Sequence, residues 1–206
     1  MNKTKVLIVD DHAILRMGLA SLINAEDDLV VIGDADDGET AIRKARKLNP
    51  DVIVMDLMMP DMDGVETTEH ILANCHEAKI LILTTFGTSD ALGHALSAGA
   101  LGAVMKNVPF PELVRAIRTV ATGKRFVSPD IERILASRPP LPPLSPRQGE
   151  ILSAIARGLS NTEIANLLGI GPDMVKTHVN LLFKKLGASN RAEAVDIAHR
   201  RHLLKA

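Results

Sequence analysis

Five polar side chains in the first half of the chain each stand directly after a short apolar run, and their types suit phosphoryl chemistry. They are, in chain order, Asp10, Asp11, Asp56, Thr84 and Lys106. Three carboxylates held close together repel one another and require a cation, and hard oxygen ligands with room for water suit Mg²⁺. An aspartate can act as a nucleophile toward phosphorus and hold the phosphoryl group as an acyl phosphate. The hydroxyl and the ammonium would then bind the phosphoryl oxygens.

The elements that must position these side chains are the apolar runs before them. There are four such runs, and Leu29–Ile32 is a fifth; each is short, rich in β-branched residues and typical of a strand covered on both faces of a parallel sheet. Stretches with helical spacing separate the runs. This alternation predicts an α/β fold with a doubly wound, five-stranded parallel sheet. Ligands of such sheets bind beyond the carboxyl ends of the strands, so the polar side chains should converge on one edge.

Composition and charge indicate two units with different partners. The 206 residues are 46% hydrophobic and 24% charged, which excludes wholesale disorder, and no apolar run approaches the roughly 20 residues of a membrane span. A single cysteine, Cys75, excludes an internal disulfide, and the default compartment is the cytoplasm. Residues 1–122 carry 11 Lys+Arg and 18 Asp+Glu, a net charge of −7, whereas residues 123–206 carry 13 and 7, a net charge of +6. The basic half suits a polyanionic partner.

A proline-rich stretch separates the two units. Residues 137–143 contain four prolines in seven positions, which predicts a semi-rigid extended linker because proline is excluded from helix interiors and central strands. We therefore predict a first domain over residues 1–122 and a second over residues 144–206. Residues 123–143 would hold a short helix, within Phe126–Ala136, and the linker.

The second half is predicted to be helical throughout, because its helix ends are clearly marked. Capping boxes begin at Ser145 and Ser160, and Pro172 stands at the first position of a third helix. A fourth helix begins near Asn190. Four short helices, with three residues between the second and the third, form a helix-turn-helix arrangement.

The first half resembles the receiver domain of two-component response regulators. The resemblance rests on Asp10-Asp11, on Asp56 in the segment Asp-Leu-Met-Met-Pro-Asp-Met-Asp-Gly, on Thr84, and on Lys106 twenty-two residues later. It implies a flavodoxin-like receiver in which Asp56 accepts a phosphoryl group from a histidine kinase, and Thr84 and Lys106 bind that group. The implied Mg²⁺ ligands are Asp11, Asp56 and the backbone carbonyl of Met58 directly, and Asp10 through water.

Two positions near the pocket need separate mention. His12 is expected to be a surface residue at the start of a helix. Receivers of this family usually carry an aromatic residue three positions before the pocket lysine, and Ala103 stands there. The resemblance implies that this aromatic side chain turns inward on phosphorylation and reshapes the surface between the fourth and fifth helices of the receiver. Ala103 has no such side chain, and two states coupled through fewer differential contacts have a smaller coupling free energy. Phosphorylation is therefore expected to act less through that surface.

The second half resembles the LuxR-type helix-turn-helix of the NarL/FixJ class of response regulators. The matching segments are Leu144–Leu152, Gly158–Ala165, Leu168–Ile170, Val175–Val179 and Lys185–Gly187. The turn departs from the family pattern, because Gly171 replaces the usual capping side chain and Met174 replaces a frequent Thr.

The third helix of this half is the predicted recognition helix. At about 100° per residue, its apolar side chains fall on one narrow face and polar ones on the opposite face. By position, the candidates for base-edge contacts are Lys176, Thr177 and Asn180. The candidates for phosphate contacts are Lys184, Lys185, Asn161 and Thr162. Lys185 points toward the flank, where a solvated helix end is an equally good interpretation.

These features predict a phosphorylation-controlled transcription factor with no membrane association. A histidine kinase would be the phosphodonor, and the phosphorylated protein would bind paired half-sites of double-stranded DNA as a homodimer. One alternative is a phosphatase, but Met58 stands where a second aspartate would supply the general acid. The other is a DNA-binding regulator whose receiver is mainly a dimerisation scaffold, with little dependence on phosphorylation.

Overall fold

The chain folds into two compact units, residues 1–140 and 141–206. The computed structural model describes residues 3–85, 89–137, 141, 144–200 and 203–204. Most of the predicted linker, residues 138–140 and 142–143, lies outside the described residues. The finer limits predicted at residues 122 and 144 stay a prediction. Within the described ranges, no helix combines the length and the apolar character that crossing a bilayer demands.

A parallel sheet forms the centre of the first unit. Its strands are β1 (Thr4–Val9), β2 (Leu29–Ala35), β3 (Val52–Asp56), β4 (Ile80–Thr84), β5 (Gly102–Met105) and β6 (Phe126–Val127). They lie in the order β2-β1-β3-β4-β5-β6, and every neighbouring pair is parallel. The predicted fold class is confirmed, because this is the strand order of a doubly wound sheet.

The predicted number of five strands is wrong, because β6 adds a sixth. Gly102 pairs with Phe126, and Ala103 pairs with Val127. The helix expected within Phe126–Ala136 therefore starts later, at Pro129. A strand of two residues has no apolar run long enough to be seen in the sequence, and Pro129 suits the first position of the helix that follows.

In the described part of this unit, six helices cover the two faces of the sheet. They are α1 (Ala13–Asn24), α2 (Gly38–Leu48), α3 (Gly64–Asn74), α4 (Ser89–Ser97), α5 (Phe110–Ala121) and α6 (Pro129–Ser137). One hydrophobic cluster packs α1 and α5 against one face. A second cluster packs residues of α2, α3, α4 and α6 against the other. Both faces are thus buried, which explains the unbroken apolar strands.

Helix α6 belongs to the core of the first unit. Ile131 of α6 and Ala103 of β5 are both fully buried in the same hydrophobic cluster. Ile134 and Leu135 pack against that cluster as well. The backbone N–H of Ser128 donates to the carbonyl of Ala103 at 3.0 Å, which fixes the start of α6 beside β5.

Strand β2 forms one edge of the sheet and is irregular there. Val6 of β1 pairs with Val31, whereas the next residue, Leu7, pairs with Gly33, so Ile32 is an extra residue in β2. The backbone N–H of Val31 donates to Oδ1 of Asn24 at 2.8 Å. The edge strand therefore has an irregular register, and one of its backbone N–H groups is already hydrogen-bonded to a side chain.

The described residues of the second unit form four helices around their own core. They are α7 (Pro146–Ala156), α8 (Asn161–Leu168), α9 (Pro172–Leu186) and α10 (Arg191–Arg200). Both predicted capping boxes are present, with Ser145 and Ser160 as the N-caps. Gly169 and Gly187 end α8 and α9 with φ of 62° and 71°, a conformation that glycine adopts at low cost. The predicted four-helix arrangement is therefore confirmed.

Candidate functional site

The carboxyl ends of the central strands bring four charged side chains together. Asp10 and Asp11 follow β1, Asp56 is the last residue of β3, and Lys106 follows β5. The ammonium of Lys106 lies 2.6 Å from Oδ2 of Asp10 and 2.7 Å from Oδ2 of Asp56. The side chains of these three residues are at most 8% exposed, so their charges interact with little screening by water.

In this cluster, burial and the neighbouring charges shift the pKa values in opposite directions. Desolvation raises the pKa of Asp56 above the usual carboxyl range, and the hydrogen bond and charge of Lys106 offset this only in part. For Lys106, desolvation acts to lower the pKa, but the hydrogen bonds and charges of Asp10 and Asp56 outweigh it and raise that pKa. The charged form of Lys106 is therefore favoured by the two carboxyl groups that flank it.

Thr84 presents an unused hydroxyl at the end of β4. Its side chain is fully buried, and among the described residues Oγ1 has no hydrogen-bond partner. The backbone carbonyl of Thr84 accepts from the N–H of Lys106 at 2.7 Å, which ties the two residues together. An unmade buried hydrogen bond is costly, so this hydroxyl is well suited to donate to an incoming oxygen.

The loop after β3 is held close to Asp56. The N–H of Met58 approaches Oδ1 of Asp56 at 3.3 Å, and the side chain of Asp63 caps α3 by accepting from the N–H of Glu66. Gly64 packs so closely that a side chain there would collide with the backbone carbonyl of Asp56. This glycine, which the sequence analysis treated only as part of a motif, allows α3 to begin against the pocket.

His12 also reaches the pocket, which the sequence analysis did not predict. It precedes α1, and its side chain is 69% exposed, in keeping with the expected surface position. Yet its ring Nδ1 lies 2.7 Å from Oδ1 of Asp11 and 3.3 Å from Oδ1 of Asp10. One ligand atom from each of four residues lies within 4.8 Å of all the others: Asp10, Asp11, His12 and Asp56. The oxygen donors of this set fit Mg²⁺.

The predicted base-reading residues share the exposed face of α9. Lys176, Thr177, Asn180 and Lys184 are all exposed. The opposite face is buried in the core through Val175, Val179, Leu182 and Leu186. The Thr177 hydroxyl donates to the carbonyl of Asp173 at 3.0 Å, so an outside partner would meet its methyl group and its oxygen lone pairs.

Three predicted phosphate contacts lie away from that face or have local partners. The ammonium of Lys185 donates to Oε1 of Gln148 at 3.1 Å, and its side chain is partly buried. Asn161 and Thr162 begin α8, and Oδ1 of Asn161 accepts from the guanidinium of Arg191 at 3.5 Å. Arg191, absent from the sequence-based candidates, also donates to the carbonyl of Leu159.

Comparison with known proteins assigns both units to families. Residues 6–118 match the response regulator receiver domain, and residues 142–198 match the luxR family of bacterial regulatory proteins. The chain belongs to the response regulators that join a receiver to a LuxR-type DNA-binding domain.

Two curated relatives match over nearly the whole length of the chain. The chain is 39% identical over 208 residues to the transcriptional regulatory protein LiaR of Bacillus subtilis, covering 97% of this chain and 99% of that protein. It is 36% identical over 206 residues to the response regulator VraR of Staphylococcus aureus, covering 98% and 99%. The response regulator RcsB, in a solved structure of its complex with DNA, is 26% identical in sequence to this chain. The two structures align with a TM-score of 0.67 over 96% of this chain and 98% of the RcsB chain. These relatives are regulators rather than enzymes, and the comparisons do not favour the scaffold alternative.

Proposed function

We propose that Asp56 of this response regulator is the phosphoacceptor and that a histidine kinase is the donor. The single observation that carries the proposal is the buried triad in which Lys106 holds Asp10 and Asp56 at 2.6 and 2.7 Å, with the buried hydroxyl of Thr84, which has no hydrogen-bond partner among the described residues, at the end of the next strand. This set supplies a nucleophile and two groups that can bind the oxygens of its product.

In the proposed reaction, each of these groups has a distinct role. A carboxylate oxygen of Asp56 attacks the phosphorus of a phosphohistidine, the P–N bond breaks, and the electron pair leaves with the imidazole. The Lys106 ammonium, now on Oδ2 of Asp56, moves to a phosphoryl oxygen, and the Thr84 hydroxyl donates to another. The group from the kinase is thereby held as an acyl phosphate.

The metal ligands in this proposal are the three pocket carboxylates and one backbone carbonyl. Asp11, Asp56 and the carbonyl of Met58 would bind Mg²⁺ directly, and Asp10 would bind it through water. Bound Mg²⁺ supplies positive charge that offsets the repulsion between the carboxylates and the phosphoryl oxygens. The all-oxygen donor set among Asp10, Asp11 and Asp56 supports this choice of ion.

For the second unit, we propose that α9 reads DNA and that α8 helps to position it. Lys176, Thr177 and Asn180 would contact base edges, and Lys184 would contact a phosphate. Lys185, Asn161 and Thr162 are the other proposed phosphate contacts, and Lys185 and Asn161 would exchange their bonds to Gln148 and Arg191 for bonds to DNA. The DNA complex of RcsB, a homologous response regulator, supports the assignment of this unit.

Phosphorylation would promote a homodimer whose two DNA-binding units occupy paired half-sites. Double-stranded DNA is the proposed target, and no membrane partner is proposed. The cytoplasmic location stays a prediction.

The test of the phosphoacceptor is the intact mass of the protein after incubation with acetyl phosphate and Mg²⁺. The wild type should gain one phosphoryl group, and Asp56→Asn should gain none. Asp61→Asn is a matched control, because Asp61 lies in the same loop, is exposed, and has φ of 62°, which asparagine tolerates. Labelling that persists in Asp56→Asn would exclude Asp56 as the acceptor.

A further inference from the structure

Apolar groups form a line along the exposed side of α9, beside its polar residues. Met174 is 54% exposed and Leu181 is 51% exposed, and Thr177, which lies between them, is exposed as well. Spacings of three and four residues place the three side chains next to one another on one side of the helix. Single apolar side chains are common on protein surfaces, but an aligned set on one helix indicates contact with a partner.

Thr177 belongs to this apolar line through its methyl group. Its hydroxyl donates to the backbone carbonyl of Asp173 at 3.0 Å, one turn earlier in the helix. That bond uses the hydroxyl hydrogen and holds the oxygen close to the backbone of α9, so Thr177 has no donor left for a base edge. The methyl group, attached to the same carbon atom, is the apolar part of the side chain that a partner can contact.

We infer that Met174 and Thr177 recognise the 5-methyl group of a thymine in the major groove of DNA. The inference rests on the proposed function of α9 as the DNA-reading helix, and it specifies one base that the helix reads. Base pairs expose hydrogen-bond donors and acceptors in the major groove, and the thymine methyl is the apolar group among them. A threonine methyl packed against a thymine methyl is a contact that this groove allows.

Position along α9 favours Met174 and Thr177 over Leu181 for this contact. Recognition helices present their N-terminal residues to the base edges. Met174 and Thr177 lie in the first two turns of α9, which begins at Pro172, whereas Leu181 lies beyond them. The methyl contact is therefore assigned to the first two residues of the apolar line.

The charges beside the apolar line favour DNA over a protein as its partner. Lys176 directly precedes Thr177, and Lys184 is exposed on the same helix, so a partner that covers this face also meets two ammonium groups. DNA supplies phosphates for such cations, and residues 123–206 carry a net charge of +6. A protein that covered the face would need an acidic group for each lysine, because an unpaired buried charge is costly.

The experiment compares thymine with deoxyuridine, which lacks only the 5-methyl group. The full chain, treated with acetyl phosphate and Mg²⁺, first selects duplexes from a random pool. Each thymine of the selected half-site is then replaced in turn by deoxyuridine, and affinity is measured by the fluorescence anisotropy of a labelled duplex. At one thymine of each half-site the wild type should bind deoxyuridine about fourfold more weakly, the factor that corresponds to one methyl group removed from an apolar contact.

Two variants at position 177 separate the methyl group from the hydroxyl. Thr177→Ser keeps the hydroxyl and loses the methyl, so it should bind the thymine and deoxyuridine duplexes nearly alike. Thr177→Val keeps a methyl and loses the hydroxyl, so it should retain most of the difference, whatever its overall affinity. Met174→Ala should reduce the difference, and Leu167→Ala, at an exposed apolar side chain of α8, is the matched control that should leave it unchanged. Far-ultraviolet circular dichroism checks that each variant is folded.

Three results would overturn the inference and leave the proposed function intact. Deoxyuridine tolerated by the wild type at every position would show that no thymine methyl is read. An equal loss in the wild type and in Thr177→Ser would show that the DNA responds to the methyl through its own shape rather than through residue 177. A change in oligomeric mass of Met174→Ala, with the methyl effect unchanged, would assign the apolar line to a protein contact. Selected duplexes with no sequence in common would instead refute the reading of DNA by α9, and the inference with it.

Discussion

Lys106 and Asp56 form a buried ion pair, with the ammonium 2.7 Å from Oδ2 of the carboxylate. The same ammonium serves Asp10, so one cation offsets two buried carboxylates. Removing it leaves both without compensation, which is far more costly than losing an exposed ion pair.

We therefore expect Lys106→Met to destabilise the first unit by about 3–5 kcal/mol. The measurement is urea unfolding followed by circular dichroism, since the chain contains no Trp or Tyr to report by fluorescence. Lys47→Met, at an exposed position of α2, should change stability by no more than about 0.5 kcal/mol. Equal effects of the two changes would show that the pair contributes nothing to the fold.

Asp56 should make the first unit less stable as the pH rises. Burial raises its folded-state pKa above the ordinary value of 3.8, so between 3.8 and the raised pKa the folded protein binds a proton that the unfolded chain has released. The stability of the first unit falls as the pH rises through that window, and the full loss of stability remains at higher pH.

Asp56→Asn removes this cost. The variant should have a higher Tm than the wild type at neutral pH, and the difference should shrink as the pH is lowered into the window. Asp27→Asn, at an exposed carboxylate, should show no such trend. A difference in Tm that is independent of pH would contradict the assigned direction.

Labelling by acetyl phosphate should require a divalent cation. Three carboxylates and one ammonium leave the pocket negatively charged before an anionic phosphodonor arrives. A chelator should abolish the gain in mass, and excess Mg²⁺ should restore it. Undiminished labelling in the chelator would remove the metal from the proposal.

Lys176→Ala and Lys184→Ala should affect DNA binding differently. If Lys176 reads a base edge, its loss should cost about 1–3 kcal/mol and relax specificity at one position. Loss of a phosphate contact at Lys184 should weaken binding to all sequences and reduce the salt dependence by about one unit. Both are measured by titrating specific and non-specific duplexes at several salt concentrations. Identical profiles for the two variants would refute the division of roles.

Ala103→Tyr should destabilise the first unit, because α6 fills the space beside position 103. Ala103 and Ile131 are both fully buried in one cluster. Overpacking a core costs about 1–3 kcal/mol, and adding Ile131→Ala should recover part of the loss. Urea unfolding measures each variant. Ala136→Tyr, on the exposed side of α6, should have little effect. A tyrosine accepted at 103 without loss would show that the site has spare volume.

The sequence alone was sufficient to predict where a candidate site residue lies when that depends only on its position along the backbone. Asp10, Asp56 and Lys106 follow apolar strands, and parallel strands bring their carboxyl ends to one edge. The capping boxes at Ser145 and Ser160 are likewise local patterns that fix helix starts without tertiary information.

Other features depend on packing or on side-chain rotation and could not be predicted in the same way. The two residues of β6 are too few to show a period, although Ile131, Ile134 and Leu135 have the spacing of a buried helix face. The approach of His12 to Asp11 depends on how one exposed ring turns. The bond from Lys185 to Gln148 spans two helices, so no local spacing reveals it.

The irregular edge at β2 limits how two receivers can associate. A flat edge strand invites another chain to continue the sheet, and such continuation is a common start of aggregation. Here the extra residue Ile32 interrupts the regular register of β2, and the side chain of Asn24 already accepts the hydrogen bond from the backbone N–H of Val31. The opposite edge, β6, offers only two residues. Among the described residues, neither border offers a long regular edge strand, so the homodimer proposed above is expected to form through helix surfaces, where side chains rather than backbone groups decide which partner is accepted.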